Sequence, residues 1–346
     1  MASQPEILFE RRGAAGLVTL NRPQALNAVT HDMVLALRAR LEAWRNDPAV
    51  TRIVVTAADG RAFSAGGDLR HIYELGRAQR FEKALTFWRD EYALNAVIKH
   101  YPKPYVALID GIAMGGGVGV SIHGSHRVAG DRYQFAMPEV GIGFFPDVGA
   151  TWFLPRMPGE LGTYCALTAE RIKAADAVAA NVATHRVRSH RFGALLDALC
   201  GTVSVDAVLA AFAEPPEQGP VGALRQTIDR HFAAATVEDI LGRLGTDRAP
   251  AAQGMAAAIR SKAPLSLKIA LAQVRRGRNW SFDACMRAEF RIVSRVVRGE
   301  DFYEGVRAVI IDKDNTPRWR PAALSEVTDM DVERHFAPLD RELILR

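Results

Sequence analysis

From Tyr105 to Gly119 the chain reads YVALIDGIAMGGGVG, and this stretch restricts the possible folds more than any other. YVALI is short and rich in β-formers, Asp110-Gly111 is a turn pair, and Gly115, Gly116 and Gly117 stand where a helix would begin. The first backbone N–H groups of a helix lack intrahelical partners and point outward, with the positive end of the helix dipole behind them. Glycines at that place remove the side chains that would hold an oxygen bearing negative charge at a distance. Tight packing is the other use of three glycines in a row, and the stretch alone does not choose between the two.

The same punctuation recurs upstream. ILFERRG and LVTLN read as two short strands around Gly13 to Gly16, and Thr30 can cap a helix whose apolar stripe is Met33, Leu37, Leu41 and Trp44. RIVVTA, residues 52–57, is a further strand that runs into the glycine-bearing loop GRAFSAGGDL and then a helix. Phe81, Leu85, Trp88, Tyr92 and Ala96 recur at helical spacing up to Pro102. Strand, loop and helix alternate to about residue 190, which predicts an α/β core. EPPEQGP, residues 214–220, reads as a linker, and beyond it the pattern is helical, broken by Pro250, Pro264 and Gly277. We therefore expect two regions, 1–212 and 213–346.

Several classes of function lack their signatures. There is no GxGxxG with a following acid and no GxxxxGK[ST], so dinucleotide and P-loop binding are unsupported. No HExxH accompanies His123 and His126, no GxSxG supplies a serine elbow, and Asp312-Lys313-Asp314 lacks the glycine and glutamate of a calcium loop. Cys165, Cys200 and Cys285 are odd in number and widely spaced, and read as buried thiols. Residues 251–320 hold fourteen Lys or Arg against seven Asp or Glu. Aromatics do not interleave with them as a single-strand nucleic-acid groove requires, so a phosphorylated small molecule or plain solvent is the expected neighbour. No apolar run approaches the roughly 18 residues of a membrane span, and the first ten residues lack a basic region followed by an apolar one; the expectation is a cytoplasmic protein without membrane contact.

Ala65-Gly66-Gly67-Asp68 is a second glycine loop between a strand and a helix, so two backbone amides from separate loops could meet at one carbonyl oxygen. Acyl chemistry becomes plausible on that ground. The segments FSAGGDL, KPYVALIDGIAMGGGVG and AMPEVGIGFFPDVG together resemble the crotonase (enoyl-CoA hydratase/isomerase) superfamily, and most closely its 3-hydroxyisobutyryl-CoA hydrolase branch. The likeness starts at LNRPQALNAV, residues 20–29, runs through residue 190, and returns in DFYEGVRAVIIDKDNTPRWRP, residues 301–321. It implies a spiral of ββα units with an acyl-CoA thioester bound across it and a helical C-terminal region folded back over the active-site mouth.

The resemblance also assigns residues. An oxyanion hole would come from the amides of Gly67 and Gly116, and the loop of Ser64, Ala65, Gly66, Asp68 and Leu69 would hold the adenine end of CoA through its backbone. Lys262 and Lys268 are candidates for the CoA phosphates. Hydratases of the superfamily use two glutamates. The second is present as Glu139, while the first falls at Gly119, which has no side chain. Addition of water across a double bond is then poorly served. Asp147 stands eight residues after Glu139, where hydratases tend to have glycine, and two acids in one dry pocket shift each other's pKa.

Thioester hydrolysis is the implied reaction. Glu139 would attack the carbonyl directly or activate water, Asp147 would orient substrate or manage protons, and Glu91 would bind the 3-hydroxyl. Asp147 in its Pro-Asp-Val-Gly turn also fits a residue that only bonds its own backbone. The competing activities are enoyl-CoA hydratase/isomerase and a non-catalytic acyl-CoA-binding protein. No cofactor is expected beyond the CoA of the substrate. A homo-oligomer, trimer or dimer, is the expected assembly.

Overall fold

The computed structural model of the chain describes residues 4–58, 60–215 and 217–345. Strands β1 (Ile7–Arg12) and β2 (Ala15–Leu20) form an antiparallel hairpin, and α1 (His31–Arg45) follows. Thr30 caps α1, its hydroxyl oxygen accepting from the Met33 amide at 3.3 Å, and the stripe Met33, Leu37, Leu41 and Trp44 is buried. The chain then lays down β3 (Arg52–Ala57), β4 (Ala62–Ser64), α2 (Leu69–Arg77), α3 (Phe81–Lys99), β5 (Tyr105–Ile109), β6 (Ile112–Met114), α4 (Gly116–Gly119), β7 (His126–Ala129) and β8 (Gln134–Ala136). Short β9 (Ile172–Lys173) and β10 (His185–Arg186) complete two sheets, ordered β1-β2-β3-β5-β7-β10 and β4-β6-β8-β9.

That order is what a winding chain produces. Each pair β3/β4, β5/β6 and β7/β8 puts one strand in each sheet, and the next pair stacks parallel on the last, so the expected ββα spiral is present. Parallel strands covered on both faces need apolar residues at every position, which is why RIVV and YVALI are buried throughout. The two faces still separate by the period of two. Leu17, Val54, Val106, Leu108 and Val128 pack against helices Phe192–Cys200 and Val205–Phe212, while Val18, Ile53, Val55, Ala107 and Ile109 join the main core.

Beyond the expected linker, of which Pro216 lies outside the described residues, the chain is helical. Pro250 and Pro264 each open a helix, Pro250–Arg260 and Pro264–Gly277, where a missing N–H costs nothing. Helices Phe282–Val296 and Asp301–Val306 follow, and all of these share the core of the spiral. Phe282–Val296 lies on α3, and Asp301–Val306 lies on α2 and on the one-turn helix Glu139–Ile142. The acids of the DKDN segment hold Arg307, whose guanidinium donates to Asp312 and Asp314, each at 2.7 Å.

Candidate active site

The two glycine loops meet. A Cβ on Gly117 would fall 2.3 Å from the Ser64 carbonyl oxygen, so only glycine lets the start of α4 lie against the end of β4. Gly115 makes the approach with φ of 45°, a left-handed turn that leaves Gly116 facing Gly67: a Cβ on Gly116 would lie 3.2 Å from the Gly67 nitrogen. The loop after Ser64 is fastened to the segment before α1. Ala65 N–H donates to Leu26 O, Asp68 N–H to Val29 O, and Val29 N–H to Gly66 O. Leu69 N–H donates to Gly67 O, and Gly66 N–H reaches Ser64 Oγ at 3.4 Å. Of the amides from Ala65 to Leu69, Gly67 alone finds no acceptor among the described residues, and neither does Gly116. Two N–H groups from different loops therefore remain free side by side, the arrangement that grips a developing oxyanion.

Three predicted carboxylates surround them. Glu139 follows Pro138 in the helical turn Glu139–Ile142, and its Oε1 would sit 3.2 Å from a Cβ on Gly115. Its Oε2 is buried without a partner. Burial first, then the charge of Asp147 and that of Glu289, pushes its carboxyl well above the ordinary range, against the pull of its own amide. Glu91, buried on α3, would lie 2.7 Å from a Cβ on Gly116 through its Oε1, which also lacks a partner. Burial, then Asp147 and Glu289, raises it too. Asp147 is buried 5 % exposed and accepts from the Tyr92 hydroxyl at 2.9 Å. Desolvation lifts it to about 7 although that hydrogen bond and its own amide pull the other way.

The turn that carries Asp147 is built under constraint. Val148, a β-branched residue, has φ of 51°, and Gly149 has φ of 90°. Neighbours hold it from both sides: His123 Nε2 meets Val148 O at 2.6 Å, and Glu289 accepts from Gly149 N–H at 2.7 Å and Thr151 N–H at 2.8 Å. Glu289 is fully buried, and burial followed by the Asp147 charge raises it to about 8. Gln273 donates to Pro146 O just before the turn. The Val148 side chain and Asn95 fill the space beside Gly119. A Cβ there would fall 2.9 Å from Asn95 Nδ2 and 3.0 Å from Val148 Cβ, and Asn95 donates to Gly119 O. No acid fits at that position without displacing both. Rings of Trp88, Phe144 and Phe302 close the apolar wall, Trp88 stacked on Phe144 with centroids 5.6 Å apart.

The remaining predicted residues divide. Ser64 is buried beneath Gly117, and Leu69 opens α2. Asp68 caps α2 by accepting from His71 N–H and pairs with Arg22 at 3.3 Å, so its carboxylate is committed to the fold. Lys268 is likewise committed, to Glu238 at 2.7 Å and to Val327 O. Lys262 is half-buried with its Nζ near Gly141, one turn from Glu139, and makes no ion pair among the described residues. A cavity of about 390 Å³ lined by Thr30, His31, Asp68, His71, Lys83 and Phe87 opens beside Gly67. His123 and His126 do not share a helix face: His126 begins β7 and pairs with Asp206.

The sequence reading missed Glu289, Asn95 and Gln273, and took Tyr92 only as part of an apolar stripe. A signal was there. Glu289 stands four residues after Cys285 and four before Val293, on the face of its helix that periodicity demands be apolar. Asn95 breaks the buried face of α3 in the same way.

A spiral of ββα units with paired glycine amides facing buried acids defines a class of acyl-thioester proteins, and comparison agrees. A family model described as enoyl-CoA hydratase/isomerase matches residues 15–336, and the chain belongs to this crotonase family. Within it, the chain is 44% identical to the mitochondrial 3-hydroxyisobutyryl-CoA hydrolase of Rattus norvegicus, over 96% of this chain and 89% of that one. It is 42% identical to the Homo sapiens hydrolase of the same name, with the same coverage. Among solved structures it resembles a carnitinyl-CoA dehydratase from Mycobacterium thermoresistibile (TM-score 0.94, 44% identity, 99% of both chains). It also resembles an enoyl-CoA hydratase from Rhodobacter sphaeroides 2.4.1 (TM-score 0.93, 37% identity, 99% of this chain and 100% of that one).

The cytoplasmic expectation is corrected by these relatives, whose names are mitochondrial. The expectation rested on the lack of a membrane-length apolar run and of a basic-then-apolar start, and neither feature reads a mitochondrial address, which amphipathic Arg- and Ser-rich segments carry. No helix among the described residues is long and apolar enough to cross a membrane.

Proposed function

We propose that the chain hydrolyses a short 3-hydroxyacyl-CoA thioester, 3-hydroxyisobutyryl-CoA foremost, to the hydroxy acid and CoA, a step of valine breakdown. One observation carries the reading: Glu139 and the free amides of Gly67 and Gly116 converge, while the position of a second hydratase glutamate, Gly119, is walled in by Asn95 and Val148. The hydrolase names of the relatives at 42–44% identity support it.

The thioester oxygen sits between the Gly67 and Gly116 amides, and the raised basicity of Glu139 suits a base. Glu139 either takes a proton from water, whose oxygen adds to the carbonyl carbon, or adds to that carbon itself. In both routes the carbonyl electrons move onto the oxygen held by the amides. Collapse expels CoA thiolate, a good leaving group that needs little acid assistance; in the direct route this leaves an acyl–Glu139 anhydride, which a water then splits into the hydroxy acid and free Glu139. Asp147, fixed by Tyr92, manages the proton nearby, and the unpartnered Oε1 of Glu91 accepts from the substrate 3-hydroxyl. CoA enters as part of the substrate, and no other cofactor takes part. Because the amides of Ala65, Gly66, Asp68 and Leu69 are consumed, and the carbonyls of Gly66, Gly67 and Asp68 also accept, this loop would hold adenine through the Ala65 carbonyl facing its amino group. The cavity beside Gly67 receives the pantetheine arm, and Lys262 is the better of the two lysines for phosphate.

The test follows free thiol from 3-hydroxyisobutyryl-CoA alongside loss of the conjugated double bond of crotonyl-CoA. Rapid thiol release without hydration is expected. Hydration without thiol release would overturn the proposal in favour of an enoyl-CoA hydratase. Heavy-oxygen water separates the two routes, since only direct attack leaves label in the Glu139 carboxyl after a single turnover.

A further inference from the structure

We propose that the protein carries a second binding site, for a small phosphate-bearing anion, on the far side of the Asp147 turn. A cavity of about 410 Å³ lies between the end of α3, the starts of β5 and β7, and the segment 152–156. Lys99, Lys103, Arg127 and Arg156 line it together with His123 and Trp152, and no Asp or Glu does. None of these four cations forms an ion pair with a carboxylate among the described residues. Like charges gathered in a concave, partly dry space raise its potential and draw in a counter-ion.

The donors are free in the right place. Lys99 Nζ stands 3.9 Å over the Trp152 ring and makes no hydrogen bond, and Arg127 spends one nitrogen on Gly124 O while its Nε is buried without a partner. Lys103 and Arg156 are anchored on backbone carbonyls, so they add charge and rigidity. Burial, and then Arg127 and Arg156, holds the Lys99 ammonium below its usual range, in keeping with mutual repulsion that an anion would relieve. His123 completes the match. Its Nε2 is given to Val148 O, its Cε1–Nε2 edge faces Gly149, and burial, with a pKa of about 3, keeps the ring neutral. The bare Nδ1 has no partner and can only accept. A hydrogen phosphate offers what both need, oxygens for the cations and one P–O–H for Nδ1. Carboxylates and sulfate lack that donor at neutral pH.

Titration calorimetry with pyrophosphate as probe, on protein already saturated with CoA so that the acyl-CoA site is blocked, reads the site directly. The wild type binds. Lys99→Gln and Arg127→Gln each weaken binding at least about tenfold, the scale of one lost charge-assisted hydrogen bond. Lys173→Gln, at an exposed residue of β9 outside both cavities, leaves it unchanged. Two variants guard against a misfolded one. Competition by inorganic phosphate or by AMP tells a free phosphate from a nucleotide phosphate, and either supports the site. No binding to the CoA-saturated protein, or equal affinity of wild type, K99Q and R127Q, would overturn the proposal.

Discussion

Replacing Glu139 by Gln keeps the shape and removes the base. Turnover should fall by about 10²–10⁴-fold while CoA affinity stays, measured by thiol release and by calorimetry. Asp147→Asn tests the coupling. Activity rises with pH as Glu139 ionises, and the Asp147 charge helps hold Glu139 protonated, so its removal moves the rising limb of the kcat profile to lower pH. An unmoved limb would uncouple the two acids. Gly116→Ala puts a methyl 2.7 Å from Glu91 Oε1 and 3.2 Å from the Gly67 nitrogen, in the space the thioester oxygen needs. The protein should fold and lose about 10²–10³ in kcat. That amides from two glycine loops could meet was legible in residue type, whereas Gly67, Gly116, Glu139 and Asp147 were singled out by the family resemblance of their segments. What closes Gly119 was not legible, because Asn95 and Val148 lie 24 and 29 residues away and reach it only through packing.

The elements that carry the acids are held by the helices after residue 250. Glu289 accepts two amides of the Asp147 turn, so Glu289→Gln must turn an N–H toward one of them and leave it unsatisfied, at about 1–3 kcal/mol. Denaturant midpoint and kcat should both fall, and the kcat limb should move to lower pH because the Glu289 charge also raises Glu139. A purely structural Glu289 would leave the limb in place. Gly143 has φ of 67°, and a Cβ on it would sit 2.2 Å from Asp301 O, where helix Asp301–Val306 seats against the Glu139 turn. Strands, the Thr30 cap and the breaks in the helical region at Pro250 and Pro264 followed from periodicity and local chemistry; that each proline opens a helix came from the structure. Which helix would grip which turn did not, since that is a matter of contacts far apart in sequence.

Across the whole molecule, Glu91, Glu139, Asp147 and Glu289 share one buried region, and burial raises all four. In the unfolded chain they release protons near their ordinary values, whereas folded Asp147 holds its proton to about 7 and Glu289 to about 8. Through that window the folded state binds more protons, so stability falls as pH rises from about 4.5 to about 8. The urea midpoint should be lower at about pH 8.5 than at about pH 5.5, and less so in D147N. This strain is the stability cost of a concentrated set of acids.

By itself the sequence determined the alternating strands and helices of an α/β core and the glycine loops between them, because strand and helix periods, turn chemistry and the need for bare backbone are local; the ββα spiral and the acids at the site were implied by its resemblance to a family. Tertiary structure alone decided which amides stay unpaired, which carboxylates are drawn together and raised, and that four cations share an acid-free cavity. Those depend on desolvation and on distances between residues that meet only when the core closes.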